Sequence, residues 1–167
     1  MEIYLLRHAP AGKHDPLDSA KDSERPLTPD GIKKAKRIAR SMHGLDLKFD
    51  LILSSPFARA KATAEIVAAE FKLTRELKFT TQLAPDGDAE LLVERLTTLY
   101  SRPKRILLVG HEPFLSRLAG VLVAGSDIAA LKLRKAGLGK LTTSRLRFSQ
   151  CAELDWWLTP RLLQRLG

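Results

Sequence analysis

Apolar runs and amphipathic stretches alternate along the first three quarters of the chain. Glu2 to Arg7 carries four apolar or aromatic residues in a row, Ile3 to Leu6, the pattern of a strand buried on both faces, and it ends on the pair Arg7-His8. Ala9 to Arg25 is polar and punctuated by Pro10, Gly12 and Pro16, which predicts a loop. Thr28 is placed to cap a helix with Pro29 at its first position, running to about Met42, with Ile32, Ala35, Ile38 and Ala39 on its apolar side. The pattern then repeats. Leu51 to Leu53 predicts a second strand, Ser54-Ser55-Pro56 a turn, and the Ala-rich stretch from Phe57 to about Glu70 a helix. Lys78 to Thr80 predicts a short third strand. After a turn at Pro85 to Gly87, Asp88 caps a helix through about Tyr100, with Leu91, Leu92, Leu96 and Leu99 at helical spacing. Arg105 to Val109 is another buried strand, Gly110-His111-Glu112-Pro113 breaks it, and Phe114 to about Val123 continues as a helix.

Strands that alternate with helices imply an α/β fold: a three-layer sandwich around a mostly parallel sheet of about five or six strands. The tail differs. Ala130 to Arg134 and Gly139 to Phe148 alternate with period two around Gly137 and Gly139, predicting a hairpin whose outward residues include Lys132, Arg134, Arg145 and Arg147. Glu153 to Leu158, with Trp156 and Trp157, predicts a last strand, and Pro160 opens a short helix. No internal repeat or linker interrupts the series. With 167 residues, 44% of them hydrophobic, the chain is expected to form one domain over 1–167 with a core that needs no disulfide or structural metal.

Composition narrows the setting. A single cysteine, Cys151, excludes an internal disulfide and fits a reducing, cytoplasmic location. The start lacks the basic region and small-residue cleavage site of a signal peptide, and no apolar run approaches the roughly 20 residues that cross a bilayer. Net charge is +9 and uneven: residues 1–100 carry 16 basic against 15 acidic side chains, residues 101–167 carry 12 against 4. Such asymmetry admits a nucleic-acid or acidic-protein partner. A solvated basic surface beside a phosphate-seeking site accounts for it more simply, which argues against nucleic acid.

The chemistry gathers where strands end. In an α/β sheet, ligands bind beyond the strand carboxyl ends. Arg7-His8 follows the first strand, Gly110-His111 follows another, and Arg59 lies one turn into the helix after Ser54-Ser55-Pro56. Two guanidinium forks and two imidazoles supply many donors and no carboxylate, a set suited to a tetrahedral anion such as phosphate. A metal is less well served, because guanidinium groups repel a cation and only two imidazoles are at hand. A neutral histidine that donates one ring N–H to a backbone carbonyl presents its other nitrogen as a nucleophile. Arg7, Arg59 and a protonated or donor-tautomer His111 would then stabilise charge on the equatorial oxygens of a transferring phosphoryl group. His14 and His43 are expected in solvent, Cys151 at a strand end, and the two tryptophans in core and rim.

Four ordered motifs resemble those of the histidine phosphatase superfamily, with its phosphoglycerate-mutase-like fold: Leu6-Arg7-His8-Ala9; Arg25-Pro26-Leu27-Thr28 with Gly31; Ser54-Ser55-Pro56 with Arg59, Ala60 and Thr63; and Gly110-His111-Glu112-Pro113. The resemblance covers most of residues 1–125. It implies that His8 is the nucleophile and that Arg7, Arg59 and His111 form the phosphate pocket. Within the superfamily the chain is similar to the short SixA-type phosphohistidine phosphatases, in the Asp22 to Thr28 and Ala84 to Asp88 segments and in its Trp156 to Arg161 ending. About 34 residues separate Glu70 from Arg105, too few for the helical lid of mutases and acid phosphatases. An open site of this kind suits a phosphorylated side chain on a protein, phosphohistidine above all. Lidded relatives place an acid near Asp86, and Arg25 is a candidate substrate contact, with pairing to Asp22 or Glu24 as its alternative. Ala9 departs from the family pattern, standing where most relatives have glycine. No metal or organic cofactor is implied. A broad small-molecule phosphomonoesterase on the same site and a non-catalytic phosphate- or nucleic-acid-binding module are the rival readings.

Overall fold

The computed structural model describes residues 1–13, 19–98, 103–128 and 131–167. His14 and Pro16 in the expected loop, Leu99 and Tyr100 at the expected end of the third helix, and Ala130 at the start of the expected hairpin lie outside them. Six strands, β1 (Glu2–Arg7), β2 (Leu51–Ser54), β3 (Leu77–Phe79), β4 (Arg105–Gly110), β5 (Leu138–Thr142) and β6 (Glu153–Leu158), form one sheet in the order β3-β2-β4-β1-β5-β6. The pairs β3/β2, β2/β4 and β4/β1 are parallel, and β5 and β6 add on antiparallel beyond β1. The helices are α1 (Pro29–Gly44), α2 (Ala58–Glu70), α3 (Ala89–Thr98), α4 (Phe114–Ala124) and α5 (Pro160–Leu166). None is long and apolar enough to cross a membrane.

Period-two alternation sorts each continuous apolar run between two cores, which is what a sheet covered by helices on both faces requires. From β1, Tyr4 and Leu6 join Ile52, Leu107 and Val109 in packing against α1, α2 and α5, through residues such as Ile38, Met42, Val67 and Leu163. Ile3 and Leu5 point the other way, with Leu53, Ile106 and Leu108, onto Leu92 and Leu96 of α3 and Leu115 and Leu118 of α4. The expected three layers are therefore present. Two residues assigned to apolar helix faces are not buried: Ile32 is 40% and Leu91 49% exposed. In α1 the buried row is Gly31, Ala35, Ile38, Ala39 and Met42, and Ile32 falls beside it.

The expected hairpin does not form. Leu131 to Arg134 is not a strand, because its backbone is bound by side chains instead: Leu133 N–H donates to Glu112 Oε1 (2.8 Å) and Leu133 C=O accepts from Arg7 Nη1 (3.0 Å). The alternating stretch from Gly139 is a strand only through Thr142, and it pairs with β1 and β6. Gly139 is no turn residue but a strand position covered by an indole: a Cβ there would lie 2.3 Å from Trp157 Cε3. The left-handed turn falls at Ala136, with φ 60°. Lys132, Arg134, Arg145 and Arg147 are exposed, as expected.

The start of α1 is clipped to the loop after β1. Thr28 Oγ1 accepts from Gly31 N–H (3.0 Å), Thr28 N–H donates to Pro10 C=O (3.1 Å), and Gly12 N–H donates to Pro26 C=O (3.1 Å). A Cβ on Gly31 would sit 1.9 Å from the Pro10 carbonyl oxygen, a backbone atom that cannot turn aside. Gly31→Ala is therefore expected to lower stability by about 2 kcal/mol, the usual scale of forced overpacking, read as the urea midpoint. A variant with an unchanged midpoint would show that the clip is not needed.

Candidate active site

The carboxyl ends of three neighbouring strands, β2, β4 and β1, supply the site. In the parallel β1/β4 register Arg7 lies opposite Gly110, so the next residues, His8 and His111, leave the sheet side by side. His8 N–H prolongs the ladder to Gly110 C=O (3.0 Å), and Ser55 N–H prolongs the β2/β4 ladder to Val109 C=O (3.0 Å). The two imidazoles end with ring centroids 5.0 Å apart, both buried.

His8 Nδ1 lies 2.7 Å from the Ala9 carbonyl oxygen. A carbonyl only accepts, so Nδ1 carries the proton and Nε2 carries the lone pair. Arg59 Nε–H donates to that Nε2 at 3.3 Å. Ala9 itself is buried, has no positive φ, and donates its N–H to Thr63 Oγ1 (3.1 Å), so alanine in place of glycine strains nothing. His111 Nε2 lies 2.9 Å from Ser55 Oγ. That oxygen also accepts from Phe57 N–H (3.3 Å). His111 Nδ1 is buried without a partner among the described residues, as is Arg7 Nε.

Arg59 occupies the first turn of α2 and is 3% exposed. Its charge is met by Asp22, which accepts from Arg59 Nη2 at Oδ2 (2.8 Å) and from Nη1 at its backbone carbonyl (2.6 Å). The other Asp22 oxygen, Oδ1, accepts from Arg25 Nε (3.0 Å) and Nη2 (2.8 Å). Burial alone would raise the Asp22 carboxyl, but the hydrogen bonds and charges of Arg59 and Arg25 bring it below the usual carboxylate range. Arg25 thus takes the expected loop pairing with Asp22 and also stands beside the cluster. Arg7 Nη1 is tied to Leu133 C=O.

Asp86 does not join them. The turn is closed by Gly87 N–H to Ala84 C=O (3.0 Å) and anchored by the buried Leu83 and Ala84, which leaves Asp86 exposed on the rim of a separate groove with Phe114 and Arg117. Among the described residues no hydrogen bond or ion pair links it to either histidine. His43, expected in solvent, is exposed and pairs with Glu70 (3.4 Å).

Sequence reasoning did not assign Asp22 to Arg59, Ser55 to His111, or Glu112 to its structural role between Leu133 N–H and Ser116 Oγ. It also passed over Lys135, whose ammonium is pulled below its usual range by burial and then by Arg7, Arg25 and Arg59. Asp22 and Ser55 sit inside quoted motifs and could have been found there. Lys135 has no local signal.

The arrangement is cationic and poor in carboxylates, with the lone pair of a neutral, buried imidazole at its centre. Residues 3–84 match the family model described as Histidine phosphatase superfamily (branch 1). The chain is 36% identical over 159 residues to an uncharacterized protein of Picosynechococcus sp., covering 95% of this chain and 94% of that one. It is 30% identical to the phosphohistidine phosphatase SixA of Escherichia coli (strain K12), over 83% of this chain and 89% of the relative. Among solved structures, the protein histidine phosphatase SixA complexed with tungstate superposes with a TM-score of 0.82 at 27% identity, covering 98% of this chain and 99% of the other.

Burial, more than any other factor, holds both imidazoles far below their ordinary pKa of 6.5. His8 falls to about 3, with Arg59 and Arg7 adding to the effect and the Ala9 carbonyl opposing it; His111 also falls to about 3. The folded protein therefore keeps both neutral where the unfolded chain protonates them, so stability is full above about pH 6.5 and declines on acidification toward pH 3. Between about pH 6.5 and 4.5, before most carboxylates titrate, the denaturant midpoint should fall, and in His8→Gln/His111→Gln that fall should largely vanish. An equal fall in both proteins would show that these imidazoles are not held neutral.

Proposed function

The chain belongs to the histidine phosphatase superfamily and is SixA-type, and from that premise we propose that it hydrolyses protein phosphohistidine through a covalent phospho-His8 intermediate. The observation that carries the reading is the His8 tautomer: Nδ1–H held by the Ala9 carbonyl, and the Nε2 lone pair aimed at the guanidinium of Arg59. A phosphoryl group at that position meets a nucleophile that needs no deprotonation. Its oxygens meet Arg7, Arg59 and His111, whose Nδ1 has no partner among the described residues. That a SixA relative is complexed with tungstate, a tetrahedral oxyanion, supports an oxyanion as a ligand of this chain.

In the first step His8 Nε2 bonds to phosphorus, the bond from phosphorus to the substrate imidazole breaks, and the departing nitrogen takes a proton from solvent water. In the second, water attacks phosphorus, the bond to His8 Nε2 breaks, and inorganic phosphate leaves with His8 neutral again. No step is assigned to Asp86, which among the described residues makes no hydrogen bond or ion pair to either histidine. An imidazole is an easier leaving group than an alkoxide, so a pocket whose candidate acid lies elsewhere favours a phosphoramidate over a phosphate ester. No metal or organic cofactor enters the scheme. The reading takes residues 1–167 to act as one domain in the cytoplasm, in keeping with a single cysteine.

Phosphate release from a phosphohistidine-bearing protein and from para-nitrophenyl phosphate tests it. His8→Ala should lose about 10³-fold or more in turnover on both substrates. Arg59→Lys should lower kcat/KM about 10²-fold, since an ammonium cannot reproduce the fork that reaches His8 and Asp22 together. A wild-type preference for the ester would overturn the substrate assignment, and full activity in His8→Ala would overturn the nucleophile.

A further inference from the structure

A cavity of about 520 Å³ opens beside Arg7, lined by Lys34, Lys132, Arg134, Lys135 and Arg161 and, among the described residues, by no carboxylate. None of these six cations has an ion-pair partner among the described residues, although elsewhere the protein pairs Arg25, Arg59, Arg105 and Lys140 with acids. The concentration is also fixed in place. Between Lys132 and Gly137 the backbone is bound to the end of β1: Ala136 N–H donates to both Arg7 C=O (3.1 Å) and His8 C=O (3.2 Å), and Arg7 N–H donates to Gly137 C=O (3.2 Å). Leu133 is held at both its N–H and its C=O, by Glu112 and Arg7. Lys132, Arg134 and Lys135 therefore project from a segment braced against the nucleophile's own peptide. The lowered Lys135 pKa, from burial and from Arg7, Arg25 and Arg59, shows that groove and phosphoryl pocket share one field.

Like charges concentrated in one cavity, with no carboxylate lining it among the described residues, are met when a polyanionic surface arrives. Resting on the phosphohistidine reading, we propose that the groove lined by Arg7, Lys34, Lys132, Arg134, Lys135 and Arg161 docks the acidic surface of the phosphorylated protein substrate next to its phosphorylated side chain. Acidic protein is favoured over a second phosphate of a small molecule by the reach of the cationic lining. A second cavity, of about 410 Å³, shares Pro10, Lys34, Pro160 and Arg161 with the first and extends it along α1 past Lys33 and Arg37, with Asp30 as the one acid in its lining among the described residues. The other exposed cations of the tail are elsewhere. Arg145 lines a cavity with Met1 and Pro103 at the opposite end of β1, and Arg147 is bound to Ser149 Oγ (2.9 Å).

That separation gives a charge-matched test. Lys132→Glu/Arg134→Glu and Arg145→Glu/Arg147→Glu change net charge equally, but only the first pair lies in the groove. With an acidic phosphohistidine carrier protein as substrate at low salt, the groove variant should lose about tenfold in kcat/KM, mostly through KM, and the distal variant less than about twofold. Both should keep wild-type kcat on para-nitrophenyl phosphate. Binding of the same carrier to His8→Ala protein, with and without the groove reversals, reads docking even where turnover fails, so the two proposals fall separately. Loss of carrier turnover in the wild type, with groove-dependent binding retained, overturns the phosphohistidine reading alone. Equal losses in the two double variants, undiminished carrier turnover in the groove variant, or no carrier binding overturn the docking site. Equally tight, groove-dependent binding of a mixed-sequence DNA duplex also overturns it, as a general polyanion surface.

Discussion

The parallel pairing of β1 with β4 is the constraint on which the site depends. Because Arg7 lies opposite Gly110, the two strands end level, and the residues that follow are the two histidines. A slip of one residue in this register would turn Ile3 to Leu6 to the wrong cores and would also separate the imidazoles. The hydrophobic sorting that stabilises the sheet is thus the same fact that sets the 5.0 Å spacing of the rings. β2, on the other side of β4, brings Ser55 to His111 by the same logic.

Around that pair the protein buries cations, which is costly unless they are met by partners. It meets them unevenly. Arg59 is held by Asp22, while among the described residues the Arg7 side chain is bound only by the Leu133 carbonyl and its Nε has no partner. The histidines escape the cost by staying neutral. A buried neutral imidazole beside the buried guanidinium of Arg59 and the half-buried Arg7 leaves the surroundings positive, a combination that favours an incoming dianion.

Much of this was legible in the sequence. Strands β1, β2 and β4 are unbroken apolar runs that end on turn residues, and Thr28-Pro29 is a capping signal that the structure realises with a hydrogen bond to Gly31. Arg7, His8, Arg59 and His111 come together as their strand-end positions implied. In the tail, period two points to a hairpin, whereas the structure forms a strand there only from Leu138 to Thr142. The segment before Ala136 spends its backbone groups on Glu112 and Arg7, partners about 20 and about 125 residues away, which no local pattern reports. The placement of Asp86 is set by similarly distant packing: the burial of Leu83 and Ala84 decides which way its turn faces. Lys135 has no motif, and its importance appears only once the Ala136 turn sets it next to Arg7.

Asp22 gives the pocket one more property. Its carboxylate already occupies the forks of Arg59 and Arg25 as a tethered anion, so any ligand that contacts those forks has to replace contacts made within the molecule. Net affinity for an oxyanion is then a difference between two occupants. Free phosphate, with little else to hold it, gains least from the exchange and is the species most readily expelled. A built-in rival of this kind favours clearance of the pocket after each cycle over tenacious retention of what the cycle leaves behind.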